Sequence, residues 1–123
     1  MLEISKSLII KDGKYLILKR APTSKTFPGV WDFPGGKNNI NEPPEGAVIR
    51  ETLEETSLTV VPDKIVMQRS YKKGELDLHI NYFTILSYSG ELKLSPEHTD
   101  YKWVRKEELK EYDVSPVIKL FLM

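Results

Sequence analysis

Residues 36–58 read GKNNINEPPEGAVIRETLEETSL, and this stretch carries the strongest helix signal in the first half of the chain. Two prolines and the acidic Glu45 stand where a helix would begin, and Gly46 is the last helix-breaking residue before Thr56. The pattern predicts a helix that begins near residues 42–45 and runs to about Thr56. A polar loop over residues 37–41 leads into this helix.

Three carboxylates share one face of the predicted helix. Each residue advances about 100° around the axis, so Glu51, Glu54 and Glu55 fall within an arc of roughly 100°. The opposite side carries the residues expected to pack on the core: Val48, Ile49, Thr52 and Leu53. Close carboxylates repel one another, and a divalent cation would remove that conflict. Oxygen donors without His or Cys favour Mg²⁺ or Mn²⁺ as the bound ion.

Arg50 and two glycines lie next to this acidic face. Arg50 stands one turn before Glu54, where it could orient a carboxylate by a charge-assisted hydrogen bond. Gly35 and Gly36 permit close backbone approach, so a metal or phosphate could lie between their turn and the helix. An acidic helix face is by itself more often a solvated surface. The spacing of the residues therefore has to decide between the two interpretations.

The spacing resembles the Nudix box: Gly, five residues, Glu, seven residues, then Arg-Glu, two residues and Glu-Glu. The residues that match in register are Gly36, Glu42, Arg50, Glu51, Glu54 and Glu55. Average residue usage would produce these six matches about once in 10⁷ starting points. The flanking segments LILKR (residues 16–20) and WDFPGGK (residues 31–37) are similar to those of MutT-like members.

Two residues depart from the Nudix pattern. Thr52 occupies a position that is usually apolar, although its methyl group can still pack against a core. Ser57 replaces the glycine that normally ends the helix. The left-handed conformation expected there costs serine about 1 kcal/mol relative to glycine. Neither residue is a candidate ligand, so these departures concern packing and loop geometry.

The resemblance implies a fold, a reaction and a set of roles. The fold would be of the α/β class, an α/β/α sandwich with a mixed central sheet, and the reaction hydrolysis of a phosphoanhydride in a nucleoside diphosphate linked to a further group X. Glu42 would be a supporting carboxylate, and Arg50 would orient its neighbours. The implied metal ligands are Glu51, Glu54, Glu55 and the carbonyl of Gly36.

Further site residues follow from the chemistry of a phosphorylated substrate. A carboxylate must accept a proton from the attacking water, and the candidates are Glu54, Glu55 and Glu97. Glu97 lies in SPEHTD (residues 95–100), which is similar to the loop from which many family members supply an extra acid. Arg20 and Lys37 are candidate phosphate contacts. For Glu97, Arg20 and Lys37, an ordinary exposed charge is the alternative.

Three functions remain open at this point. The MutT-like segments favour conversion of a nucleoside triphosphate, including oxidised or non-standard ones, to a nucleoside monophosphate and pyrophosphate. A hydrolase of another Nudix substrate, such as ADP-ribose, is one alternative. A Nudix-fold module that binds or senses a nucleotide without cutting it is the other. The three crowded carboxylates favour an enzyme over a sensor.

Composition limits the class of protein and its partners. The 123 residues predict one domain over residues 1–123, and 18 basic residues balance 18 acidic ones. A neutral chain makes nucleic acid an unlikely partner and favours a small nucleotide. The absence of cysteine excludes thiolate metal sites. Without a signal peptide or a membrane-spanning apolar run, we expect a cytoplasmic protein; monomer and homodimer both stay open.

The remaining elements are predicted from local patterns. Apolar runs at residues 2–10 and 15–18 flank Asp12-Gly13, which indicates a hairpin. Further strands are predicted at residues 58–61, 64–71, 76–86 and around Trp103-Val104, with a turn near Gly74. Helices are expected at residues 105–112 and 115–122, the second with Ser115 as its N-cap. Strands and helices do not alternate strictly, so the sheet should be mixed.

Overall fold

A computed structural model describes all 123 residues of the chain. Its elements are β1 (Leu2–Leu8), β2 (Ile10–Lys11), β3 (Lys14–Arg20), β4 (Trp31–Asp32), β5 (Gly35–Lys37), α1 (Pro44–Thr56), β6 (Thr59–Lys73), β7 (Leu76–Ser89), β8 (His98–Arg105), a 3₁₀ helix (Lys106–Glu111) and α2 (Pro116–Phe121). The helix predicted to run from near residues 42–45 to about Thr56 is confirmed as α1. None of the helices is long and apolar enough to cross a membrane.

The strands form two sheets. The first has the order β5-β1-β7-β6, in which β1 pairs parallel with β7 and the other two pairings are antiparallel. In the second, β3 lies between β8 on one edge and the short strands β2 and β4 on the other, all antiparallel. The first sheet is therefore mixed, as expected from the sequence.

The two α-helices cover opposite faces of the mixed sheet. Successive side chains of a strand point to opposite faces. From β1, Ser7 points to α1, where its Oγ lies 3.0 Å from Oγ1 of Thr52. Leu8 points the other way into a core cluster that includes Ile118 and Phe121 of α2. The predicted α/β/α arrangement around a mixed sheet is confirmed.

The predicted hairpins are confirmed, and their turns explain them. Asp12 and Gly13 both adopt positive φ, 52° and 75°, which matches the right-handed twist of the strands they connect. Gly74, with φ of 59°, connects the long strands β6 and β7. At the C-terminus, Ser115 accepts a hydrogen bond from the Ile118 amide and caps α2 as predicted.

One local prediction was wrong, and two are refined. The run at residues 2–10 is not one strand, because the chain crosses between sheets at the fully buried Ile9: β1 joins the first sheet and β2 the second. The chain bends at Pro34 and then enters β5, which pairs with β1. The helix predicted at residues 105–112 is a 3₁₀ helix over residues 106–111. In the first case long-range pairing overrides the local apolar pattern.

Candidate active site

A cavity of about 320 Å³ opens between α1, β1, β5 and β7. Its acidic lining residues are Asp32, Glu51, Glu55 and Glu97. Its basic ones are Lys6, Arg20 and Lys37. Its apolar lining comprises Leu2, Ile4, Phe27, Leu76, Leu78 and Val117. The cavity therefore combines charged and apolar side chains in one lining.

The helix α1 presents a different face to the core from the one predicted. Its buried residues are Ala47, Val48, Thr52, Glu55 and Thr56, whereas Ile49 and Leu53 are 37% and 46% exposed. The three predicted metal-binding glutamates consequently differ in burial. The side chains of Glu51 and Glu54 are 17% and 52% exposed, and Glu55 is almost fully buried. Glu51 and Glu55 line the cavity, and Glu54 lies outside it.

Arg50 organises the carboxylates at the edge of the site. Its Nε and Nη2 each donate to one oxygen of Glu42 at 2.9 Å. Its Nη1 donates to Glu51 at 2.8 Å and, more weakly, to Glu54 at 3.3 Å. A fifth contact, from Nη2 to the Lys37 carbonyl at 3.0 Å, ties α1 to the end of β5. The guanidinium lowers the pKa of Glu42 to about 2, so Glu42 stays ionised.

Glu55 is a carboxyl group buried at the inner end of the site. Its Oε1 accepts a hydrogen bond from the Gly35 amide at 2.8 Å. Burial raises the pKa of Glu55 to about 8, although nearby Lys6 acts in the opposite direction. Without a cation, Glu55 therefore carries a proton at neutral pH. A metal ion would displace that proton.

Gly36 and the glutamates are the candidate donors for a divalent cation. A Cβ on Gly36 would collide with the carboxylate of Glu51, so only glycine lets that carboxylate rest against β5. No group of three acidic or histidine side chains converges closely enough to hold a metal as it stands. The reason is that Arg50 draws Glu51 and Glu54 outward while Glu55 faces Gly35. The donors themselves are all oxygen atoms, which is the ligand type that Mg²⁺ prefers.

The loop residues predicted to contact substrate reach the same cavity. Glu97 is exposed at its rim, next to the start of β8. Arg20 lines it as well, but its guanidinium is largely engaged within its own loop, with Nε donating to the Thr26 carbonyl and Nη2 to the Ser24 hydroxyl, both at 2.9 Å. Lys37 contributes to the lining at the end of β5. These residues are brought together with Glu51 and Glu55.

Comparison with a family model assigns the chain to a protein family. The model for the NUDIX domain matches residues 3–122, nearly the whole chain. The chain belongs to the Nudix family. This Nudix hydrolase is 32% identical to the nucleoside triphosphatase NudI of Escherichia coli, over 88% of this chain and 84% of that protein.

Solved structures share its fold. The MutT protein from Methanosarcina mazei superposes with a TM-score of 0.90 at 33% identity, covering 98% of this chain and 89% of that one. The ORF135 protein of Escherichia coli superposes with a TM-score of 0.84, covering 99% and 89% of the two chains. Its identity of 24% supports the fold alone.

Sequence reasoning missed one part of this Nudix site, a buried ion pair. Lys6 Nζ lies 3.0 Å from Asp32 Oδ2, and both side chains are less than 5% exposed. Arg20 approaches the same oxygen at 3.4 Å. A signal was present in the sequence, since Lys6 interrupts an otherwise uncharged run from Ile4 to Ile10. Its partner could not be found locally, because Asp32 follows 26 residues later.

Proposed function

We propose that this Nudix hydrolase cleaves a nucleoside triphosphate to a nucleoside monophosphate and pyrophosphate, with Mg²⁺ or Mn²⁺ bound by Glu51, Glu54, Glu55 and the Gly36 carbonyl. The observation that carries the proposal is the mixed lining of the cavity. Its apolar side chains suit a base and sugar, and its charged side chains suit a metal-bound phosphate chain. The name of NudI, a nucleoside triphosphatase, supports this substrate class.

Each residue of the site would have a distinct role in the hydrolysis. A bound divalent cation supplies charge neutralisation of the phosphate oxygens and activation of a water. Arg20 and Lys37 add positive charge beside the phosphate chain. Arg50 holds Glu42 and Glu51 in fixed positions through 2.8–2.9 Å hydrogen bonds. Water attacks a phosphorus of the α–β anhydride, the P–O bond to the bridging oxygen breaks, and a nucleoside monophosphate and pyrophosphate separate.

The proton of the attacking water needs an acceptor. Glu97 and Glu55 line the cavity, whereas Glu54 is exposed outside its lining. The buried Glu55 is held by the Gly35 amide and suits a fixed role as a ligand. Glu97 is free at the rim, so we propose Glu97 as the general base. Glu97→Gln should lower kcat by about 10²-fold or more while leaving metal affinity within about threefold.

Product analysis tests the activity. The purified protein is incubated with Mg²⁺ and a panel of nucleoside triphosphates, 8-oxo-dGTP, ADP-ribose and diadenosine polyphosphates. We expect a nucleoside monophosphate and pyrophosphate from a triphosphate, and a loss of about 10²-fold or more in Glu51→Gln and Glu54→Gln. Glu45→Gln is the matched control, because Glu45 lies on the same helix, is exposed and does not line the cavity.

The alternatives predict different results. Turnover of ADP-ribose or a diadenosine polyphosphate alone would keep the hydrolase and replace the substrate. Stabilisation by a nucleotide without turnover of any compound on the panel would favour a nucleotide sensor. Equal activity with EDTA and with Mg²⁺ would contradict the metal requirement.

A further inference from the structure

Lys6 is a buried lysine whose hydrogen-bonding capacity is fully used. It lies on β1 and is 3% exposed. Its Nζ donates to Asp32 Oδ2 at 3.0 Å, to the Phe33 carbonyl at 3.2 Å and to the Gly35 carbonyl at 3.1 Å. An ammonium group has three N–H donors, so all three are occupied. Lys6 therefore acts on the protein's own backbone rather than on a ligand.

Its partner Asp32 connects several elements at once. One carboxylate oxygen accepts from Lys6 and, at 3.4 Å, from Arg20. The other accepts from the Phe33 amide at 2.8 Å and from the Ser115 hydroxyl at 3.0 Å. Because Ser115 also caps α2, this carboxylate links β1, β3, β4 and the start of α2. The pair is therefore a fixed junction in the cavity wall.

The backbone that Lys6 holds is the backbone next to the predicted metal ligands. Gly35 donates its amide hydrogen to Glu55 and its carbonyl accepts from Lys6, so this residue is held from both sides. Its φ is +127°, and a Cβ there would lie 2.7 Å from the Cα of Lys6, so only glycine allows this approach. Gly36 follows directly and rests against Glu51. Lys6 is thus connected to the predicted metal ligands indirectly, through the backbone of Gly35 and Gly36.

We propose that Lys6, with Asp32 as its counter-ion, is a positioning residue for the metal site of this hydrolase. The pair holds the backbone from Phe33 to Gly35 in the place where Gly36, Glu51 and Glu55 share one cavity. A contribution to folding stability does not explain such a pair, because replacing a buried ion pair by apolar residues of similar volume often leaves stability unchanged or raises it. Groups that orient metal ligands, in contrast, change metal affinity or activity about 10- to 100-fold when removed.

The test uses a variant that removes both charges. Lys6→Met alone would leave Asp32 buried without its cation and could unfold the protein, so Lys6→Met is combined with Asp32→Asn. Three quantities are measured: Mn²⁺ affinity by calorimetry, hydrogen exchange of the Gly35 amide by NMR, and kcat with KM on the nucleotide turned over by the wild type. Val104→Ala is the control, because Val104 is a core residue of β8 that does not line the cavity.

A chemical rescue is available because the chain has no cysteine. Lys6→Cys can be alkylated in denaturant with 2-bromoethylamine at this single thiol and refolded, which places an ammonium group at nearly the original distance. We expect the double variant to lose Mn²⁺ affinity and kcat by about 10- to 100-fold, with KM within about threefold. Its Gly35 amide should exchange at least about tenfold faster. The alkylated Lys6→Cys protein should recover most of each loss.

The outcomes separate this inference from the proposed function, on which it rests. If the double variant matches Val104→Ala in Mn²⁺ affinity and Gly35 exchange, Lys6 is a structural residue only and the inference is wrong. Failure of alkylation to restore affinity in a folded protein would contradict it too. If the wild type hydrolyses no nucleotide, the proposed function fails, and the metal and exchange measurements still decide the role of Lys6.

Discussion

Glu55 shows how a single residue can serve function at the expense of stability. It is 4% exposed, and one backbone amide is its only hydrogen-bond donor. Its folded pKa of about 8 lies above the ordinary value of 4.5, so unfolding at neutral pH releases a proton. The metal-free protein should therefore lose stability as the pH rises from 4.5 through 8. Under the proposed function, binding of a cation to the folded state would offset this cost.

The corresponding prediction concerns Glu55→Gln in the presence of EDTA. The amide cannot ionise and still offers an oxygen to the Gly35 amide, so the variant should be about 2–4 kcal/mol more stable than the wild type at pH 8 and nearly equal at pH 5. Urea unfolding at the two pH values measures the difference, with Glu45→Gln as the control. A variant that is less stable at pH 8 would show that Glu55 is ionised and well paired in the metal-free fold.

His98 should give the protein a second pH dependence, of opposite sign. It is 6% exposed, its Nδ1 has no partner, and burial lowers its pKa to about 4, with Lys6 and Arg20 acting in the same direction. Unfolded histidine takes up a proton near pH 6.5, so stability should fall by about 2 kcal/mol between pH 7 and pH 4.5 through this group. The wild type should lose more stability over that range than His98→Leu.

Comparison with His98→Leu is needed because protonation of Glu55 acts in the opposite direction. The second histidine, His79, lies half-buried on β7 and provides the matched control His79→Gln. If wild type and His98→Leu show the same change in the free energy of unfolding from pH 7 to pH 4.5, His98 takes up its proton without penalty, and the interpretation of its burial is wrong.

At the scale of elements, the C-terminus of α1 carries a measurable strain. Ser57 adopts the left-handed conformation, with φ of 66° and ψ of 11°, and its amide bonds the Leu53 carbonyl. This is the conformation that the sequence predicted for the position where the Nudix pattern has glycine. The serine hydroxyl recovers only a 3.3 Å contact to the Lys93 carbonyl. Serine is therefore tolerated at this position but is not the most stable choice.

Ser57→Gly should raise the free energy of unfolding by about 0.5–1 kcal/mol, because glycine adopts the left-handed conformation without a Cβ penalty. Thermal unfolding should shift upward by about 2–5 °C. Ser57→Ala, which keeps the Cβ and loses the hydroxyl contact, should be no more stable than the wild type. Equal stabilisation by Gly and Ala would assign the effect to the hydroxyl rather than to backbone strain.

The other departure from the Nudix pattern, Thr52, is explained by the strand that it faces. Thr52 is fully buried between α1 and β1, and its hydroxyl meets that of Ser7 at 3.0 Å. Ser7 in turn donates to the Pro34 carbonyl at 3.2 Å. The polar residue on the helix and the polar residue on the strand satisfy each other, as buried hydroxyls require. This helix–sheet interface therefore combines apolar packing with a small hydrogen-bonded seam.

At the scale of the whole molecule, Phe33 joins parts that are distant in the sequence. The chain passes from the second sheet to the first at residues 33–34, and the Phe33 ring is fully buried there. Its centroid lies 6.1 Å from Tyr15 of β3, 6.5 Å from Tyr82 of β7 and 5.2 Å from Phe121 of α2. One ring thus connects both sheets and the last helix.

Phe33→Ala should cost about 3–5 kcal/mol, because it removes a large buried ring and its aromatic neighbours cannot fill the space. Urea unfolding followed by both far-UV circular dichroism and tryptophan fluorescence measures the loss. Phe33→Leu, which keeps more of the buried volume, should cost less. A loss below about 1.5 kcal/mol for the alanine variant would mean that the two sheets do not depend on this contact.

The sequence by itself determined the family, the position of α1 and the hairpin turns. It also determined which acidic residues are candidates for the site. These features depend on local spacing: the Nudix box places its residues by helical periodicity, and Asp12-Gly13 and Ser115-Pro116 act on their immediate neighbours. The mixed α/β architecture followed from the order of the elements and is confirmed.

Tertiary structure alone decided which side of α1 is buried, how the chain crosses between sheets, and which charges meet. Helical periodicity places Glu55 beside Glu54, but packing of α1 on β1 buries the first and exposes the second. Lys6 forms an ion pair with Asp32 only because β1 and β4 lie close together beside the cavity. Burial and long-range pairing depend on where distant segments meet, and the cost of burying a charge then fixes its partners.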